Sequence, residues 1–192
     1  YSGLFLILSF ALLANAMNMF DGINLQLMLF TSTLFILFIL KGFIPIFFIL
    51  LLICFLFLAI LNFKNKVFLG DSGAYLISAI IGSTFIYQYD KFGNYFFGDE
   101  VFVILIIPSI DMLRLFFVRI IKKKHPFKGD LNHFHHIVNN YTKNNSITVL
   151  ITISISIIPI LLLFLNIQTY IILIVSLFIY FCSIKYLRFK RK

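Results

Sequence analysis

The sequence predicts an all-α polytopic membrane protein with its chemistry on cytoplasmic loops, and three observations carry that reading. Of 192 residues, 61% are hydrophobic and only 12% charged, with a mean hydropathy of +1.05, whereas soluble domains are roughly 45–50% apolar and about 25% charged. The apolar residues fall in long runs, and crossing a bilayer takes about 20 of them in a row. The cationic residues gather on alternate connections between those runs, as membrane topology requires. A soluble globular domain, a disordered chain, a collagen and a disulfide scaffold are all excluded.

Taken in order, seven segments read as spans: about 1–17, 25–40, 43–61, 67–89, 100–118, 147–165 and 168–184. The first opens on Tyr1-Ser2-Gly3 with neither an initiator Met nor the basic region of a signal peptide. Lys41-Gly42 and Pro45 split what would otherwise be one long run, placing a tight turn at 42–45. The fourth segment opens on Gly70-Asp71-Ser72-Gly73, and the fifth contains Pro108, which should kink it. When the connections are taken alternately, 14 of the 16 Lys and Arg fall on one side and only Lys41 and Lys91 on the other. The positive-inside rule therefore puts 18–24, 62–66, 119–146 and the C-terminal tail in the cytoplasm. The net charge of +9 is thus mostly topology and calls for no nucleic acid, and the basic last eight residues read as an anchor on anionic lipid. Cys54 and Cys182 each sit inside an apolar run and read as small core or lipid-facing side chains.

Four groups of residues carry chemistry. In Asn15-Ala-Met-Asn18-Met-Phe-Asp21-Gly22, the three polar side chains spaced by three could face one ligand from a helix end, and Gly22 lets the backbone turn. In Phe68-Leu-Gly70-Asp71-Ser72-Gly73, a carboxylate stands beside backbone N–H groups at a helix start. That arrangement either caps the helix or leaves room for a diphosphate and a divalent cation. Gly73 and Gly82 permit close helix packing. In Pro108-Ser-Ile-Asp111-Met-Leu-Arg114, the two charges at i, i+3 neutralise one another, and the site role of Asp111 stays open. The loop from Arg119 through Lys122–Lys124 and His125 to Asp130, His133, His135 and His136 holds all four histidines. A closed zinc site is poorly supported there, because no Cys is near. Cations and imidazoles together suit an anionic substrate. Ionisable groups at the membrane edge are functional by default.

NAMNMFDG (15–22), FLGDSGAYL (68–76), PSIDMLR (108–114) and the run ending D-LN-HFHH (130–136), in this order, resemble the polyprenyl-phosphate N-acetylhexosamine-1-phosphate transferases of glycosyltransferase family 4. The resemblance implies transfer of an N-acetylhexosamine 1-phosphate from a UDP-sugar to polyprenyl (undecaprenyl) phosphate. UMP would be released and synthesis of lipopolysaccharide or a wall polymer begun, at the cytoplasmic face of the bacterial inner membrane. It implies Mg2+, with Mn2+ as a substitute, and leaves room for a homodimer. Carried over residue by residue, Asp21, Asp71, His133, His135 and His136 would be catalytic and Asp71 the metal ligand. Asn15, Asn18, Gly70, Arg119 and Asp130 would bind substrate. The H-x-H-H form looks more like the branch that primes surface polysaccharides than the branch that handles the peptidoglycan precursor.

The chain departs from the family pattern in two ways. After Asp-Gly the family commonly has a second Asp or Asn and then Gly-Leu, where this chain reads Ile23-Asn24-Leu25-Gln26. The family also carries an adjacent Asp pair and about ten or eleven spans, and no Asp-Asp pair occurs here. Residues 1–192 are therefore expected to form a single integral-membrane domain, the C-terminal portion of a longer enzyme. Two other readings stand beside this one: a catalytically incomplete fragment that only binds substrate, and an ion-coupled transporter whose path uses Asp21, Asp71 and Asp111.

Overall fold

The structure, a computed structural model, describes residues 3–92, 96–125 and 131–190, with the backbone alone for 90–92. Among the described residues every regular element is a helix. They are α1 (Gly3–Phe20), α2 (Gln26–Leu40), α3 (Pro45–Phe63), α4 (Gly70–Phe92), α5 (Gly98–Ile104), α6 (Ile106–Ile121), α7 (Phe134–Thr142), α8 (Asn145–Phe164) and α9 (Thr169–Phe189). The chain groups into two compact units, Tyr1–Val101 and Phe102–Lys192.

In the first unit α2 packs on α3 and α1 on α4. Phe35 and Phe38 of α2 meet Phe48 and Phe55 of α3 with ring centroids 4.9–5.5 Å apart, edge and tilted geometries that add to simple burial. The turn between these helices lies where Gly42 and Pro45 predict it. Gly42 has φ +74 and donates to the Ile39 carbonyl while the Phe43 N–H reaches Phe38, a Schellman closure. Pro45 then opens α3, where its missing N–H is of no consequence. α1 and α4 run antiparallel and close together. A Cβ on Gly82 would stand 2.7 Å from the Phe10 ring, so the packing role expected of Gly82 holds. Gly73 instead faces its own Leu69 side chain.

The expected count of seven spans is not confirmed. Among the described residues four helices (α1, α3, α8 and α9) are long and apolar enough to cross a membrane, or five if α5 and α6 form one broken span bent by 73°. Two expected spans fall short for different reasons. α2 has 15 residues, about 22 Å of helix at 1.5 Å per residue, and most of its side chains are buried against protein. α4 is long enough, yet it interleaves Asp71, Ser72, Ser78, Ser83 and Thr84 with its apolar residues. The kink expected from Pro108 is the α5–α6 break at Leu105. Proline has no N–H to give the carbonyl four residues back, and its ring crowds that carbonyl, so the helix breaks one turn upstream. α7, inside what reads as a loop, is a helix that the apolar pattern alone does not reveal.

In the second unit α8 packs on α9, and α7 lies against both. Ile174 and Phe178 of α9 are exposed, while Ile172, Ser176 and Tyr180 of the same helix are buried. A membrane-spanning helix with one protein-facing stripe shows this pattern.

Candidate active site

The first cluster sits at one end of the α1–α4 pair. Asp21 follows the last turn of α1, its N–H bonded to the Met17 and Asn18 carbonyls. Asn18, half-buried, donates from Nδ2 to the Tyr75 hydroxyl on α4 at 3.5 Å. Asp71 lies in the first turn of α4, where a carboxylate meets the positive end of the helix dipole. Burial first, and then the charge of Asp71, push Asp21 up to about 6. Gly70 immediately precedes Asp71 with φ +65 and open space around it, a backbone state that only glycine adopts without strain.

Asn62 ties the two carboxylate-bearing loops together. Buried at the end of α3, its Oδ1 accepts the Leu25 N–H at 2.7 Å and its Nδ2 donates to the Val67 carbonyl at 2.8 Å. Its own carbonyl accepts from Asn24 Nδ2, which also donates to Asn65 Oδ1 at 2.6 Å. Loop 21–25 and the approach to Gly70 are therefore cross-linked through one side chain. Leu25, standing where the family pattern has glycine, nevertheless adopts φ +73. The left-handed turn survives without glycine because the Asn62 bond holds its N–H.

The second cluster lies in the other unit and centres on Asp111. The expected pair forms, with Arg114 Nη2 donating to Asp111 Oδ1 at 2.8 Å, but it is one contact of several. The Tyr180 hydroxyl of α9 donates to the same oxygen at 2.5 Å, and the Phe134 N–H reaches it at 3.1 Å. His133 Nδ1 lies 2.9 Å from Oδ2. Arg114 also donates from Nε to the Tyr180 hydroxyl at 2.8 Å and from Nη2 to the Asn132 carbonyl at 2.7 Å. His133 is the N-cap of α7 with an extended backbone and no cap bond from its own side chain; Asp111 supplies that bond from α6 instead. The three imidazoles cluster: His133 stacks on His135 at 5.5 Å and 3°, and His136 lies 4.3 Å from His135 with its ring tilted by 59°. Burial, followed by the neighbouring His136 and His133, lowers His135 to about 3. It is therefore a neutral ring at physiological pH, and its buried Nε2 has no hydrogen-bond partner among the described residues.

The sequence-derived candidates thus fall into two sets: Asn18, Asp21, Gly70 and Asp71 in the first unit, and His133, His135 and His136 in the second. Asn15 is turned away, its Nδ2 donating to the Ala11 carbonyl of its own helix. Arg119 is buried in the last turn of α6, and Asp130 lies outside the described residues. Sequence reasoning missed Tyr75, Asn62 and Tyr180. Each is a polar side chain in a largely apolar helix, which is the signal that could have marked them. Among the described residues no group of three or more His, Cys, Asp or Glu is arranged to hold a metal ion.

Comparison with known proteins adds a finding for the first unit. The family model described as glycosyl transferase family 4 matches residues 1–89. The undecaprenyl-phosphate alpha-N-acetylglucosaminyl 1-phosphate transferases of Haemophilus influenzae and Pasteurella multocida are each 35% identical over 75 residues, 39% of this chain. The matched stretch is 21% of either relative's length. No solved structure matches the chain. Residues 1–89 include both Asp21 and Asp71, whereas Asp111 and the histidines lie beyond them. The similarity to glycosyl transferase family 4 thus extends over residues 1–89.

Proposed function

We propose that this chain is part of a membrane enzyme that transfers an N-acetylhexosamine 1-phosphate from a UDP-sugar to polyprenyl phosphate and releases UMP. One observation carries the reading: Asp21 and Asp71, fifty residues apart, stand at the same end of α1 and α4 within reach of each other's charge. Two carboxylates at one end of a helix pair suit a hard divalent ion. Mg2+ takes one or two carboxylates and fills its remaining positions with water and phosphate, so these residues fit it, with Asp71 as its ligand. When bound, the ion would neutralise a nucleotide diphosphate.

The chain's own residues do the rest. The reaction brings two anions together, and positioning with charge neutralisation supplies most of the rate in phosphoryl transfer. Asn18 offers an amide and Gly70 an open backbone beside Asp71. In the second unit, taken by itself, His133, His135 and His136 are proposed to offer ring nitrogens to phosphate, with Arg119 and the Lys122–Lys124 run adding positive field there. The acceptor, a lipid phosphate, arrives through the membrane. It attacks the sugar-bearing phosphorus directly as the bond to UMP breaks. The bias of positive charge argues for the cytoplasmic face of a bacterial inner membrane.

The test expresses the protein from its complete reading frame and incubates membranes with radiolabelled UDP-GlcNAc, polyprenyl phosphate and Mg2+. Wild type should form a labelled lipid and release UMP, and Asp71→Asn should abolish both. Near-normal turnover in Asp71→Asn would overturn the assignment. An electron paramagnetic resonance titration with Mn2+ gives a second readout: Asp71→Asn should weaken binding even where no substrate is present.

A further inference from the structure

We propose that Asp111 is a positioning residue for His133, fixing Nδ1 as its protonated ring nitrogen so that the histidine acts through Nε2, and that Tyr180 is the brace that holds this carboxylate in place. Three donors converge on one oxygen. The Tyr180 hydroxyl, Arg114 Nη2 and the Phe134 N–H all point at Asp111 Oδ1, and an ionised carboxylate only accepts. With the guanidinium alongside, the proton shared between Asp111 Oδ2 and His133 Nδ1 therefore sits on the ring. The Asp111 contact engages Nδ1, which leaves Nε2 as the ring nitrogen outside it. The ring nitrogen that Asp111 does not hold is the one assigned to chemistry, a division of labour that a histidine's second partner commonly sets.

Tyr180 makes the device specific. It is fully buried in the apolar helix α9, and a buried hydroxyl needs partners. It donates to Asp111 and accepts from Arg114 Nε at 2.8 Å, so both its capacities are spent on this one network. Its ring packs on Phe134 at 5.2 Å, directly beside His133. One carboxylate thus caps α7, fixes the tautomer of the histidine at its start and is clamped by the last helix. The role of Nε2 toward a diphosphate rests on the transferase reading; the tautomer does not.

The full chain is labelled with 15N-histidine, placed in lipid nanodiscs and examined by NMR, which separates the two neutral tautomers by nitrogen shift; His133→Gln assigns the signal. Wild type should show His133 protonated at Nδ1. In Asp111→Asn the amide Oδ1 keeps the Tyr180 and Arg114 donors and presents its N–H to Nδ1, so the ring should switch to the Nε2–H form. Tyr180→Phe, which keeps the ring packing, should give a mixture. A tautomer swap behind a catalytic histidine can lower turnover by up to about 10⁴-fold; we expect at least about 100-fold in Asp111→Asn, seen in kcat rather than KM. His133 protonated at Nε2 in wild type, or an unchanged spectrum in folded Asp111→Asn, overturns the proposal. If Asp111→Asn does not fold, an unchanged spectrum in Tyr180→Phe does so. If the tautomer switches while wild type transfers no sugar phosphate, the positioning role stands and the transferase reading falls.

Discussion

Asp71→Asn, expected to abolish activity, should also change the pH dependence of stability in a direction opposite to ordinary damage. Asp21 is raised from 3.8 to about 6, by burial first and by Asp71 second. A carboxyl whose pKa rises on folding gives stability that is fully present below pH 3.8 and lost as pH climbs through about 6. At pH 7.5 the ionised Asp21 therefore weakens the fold. A fully sequestered carboxyl moved this far would carry roughly 3 kcal/mol; Asp21 is only half-buried, and screening reduces this to about 1 kcal/mol. Burial takes the larger share, leaving at most about 0.5 kcal/mol for Asp71, or up to about 1–2 °C in melting temperature for a chain of this size. Losing the attraction of Asp71 to the α4 N-terminus works the other way, by about 0.3–1 kcal/mol. That loss applies wherever carboxylates are charged, so it cancels between two pH values. The assay is thermal unfolding of both proteins in detergent without divalent ions at pH 5 and 7.5. The variant's melting temperature relative to wild type should be up to about 1–2 °C higher at pH 7.5 than at pH 5, and 10 mM Mg2+ should stabilise wild type but not the variant. An offset identical at both pH values would refute the coupling of Asp21 to Asp71.

The two remaining predictions concern Asn62 and His135. Asn62→Leu keeps the volume but strands the Leu25 N–H and the Val67 carbonyl, costing about 2–3 kcal/mol and lowering the melting temperature by about 5–10 °C; it should also weaken Mn2+ binding, because both carboxylate loops lose their common tie. A normal melt for this variant would show that the Asn62 bonds are incidental. His135 is lowered to about 3, so the unfolded chain binds the extra proton between pH 3 and 6.5 and the fold loses stability as pH falls through that window. At pH 5 this amounts to about 2 kcal/mol. His135→Phe should therefore flatten the acid limb of a pH–melting curve between 4 and 6, and an unchanged limb would place His135 in contact with water.

Local signals were legible and distant partnerships were not. Each of the seven apolar segments is helical, Gly42 and Pro45 mark their turn, and Pro108 marks its break, because these effects act within one turn of the residue that causes them. The span count was less legible, because apolar content does not say whether a side chain faces lipid or protein: Leu27, Phe30 and Leu34 of the 15-residue α2 are fully buried against neighbours. Leu25 is the sharper case. Its sequence position argues against a left-handed turn, which costs a residue with a Cβ about 1–2 kcal/mol. The turn forms because Asn62, 37 residues away, takes the freed N–H. Asp111 shows the same limit, since its pairing with Arg114 is readable at a spacing of three while His133 and Tyr180 lie 22 and 69 residues on. Yet Asn62, Asp111 and Tyr180 share a trait that the amino-acid order alone displays: each is a polar residue inside an apolar run. In a bilayer such a group is retained only if something satisfies it. The sequence therefore states that partners exist, and only the packing of helices can say which residues they are.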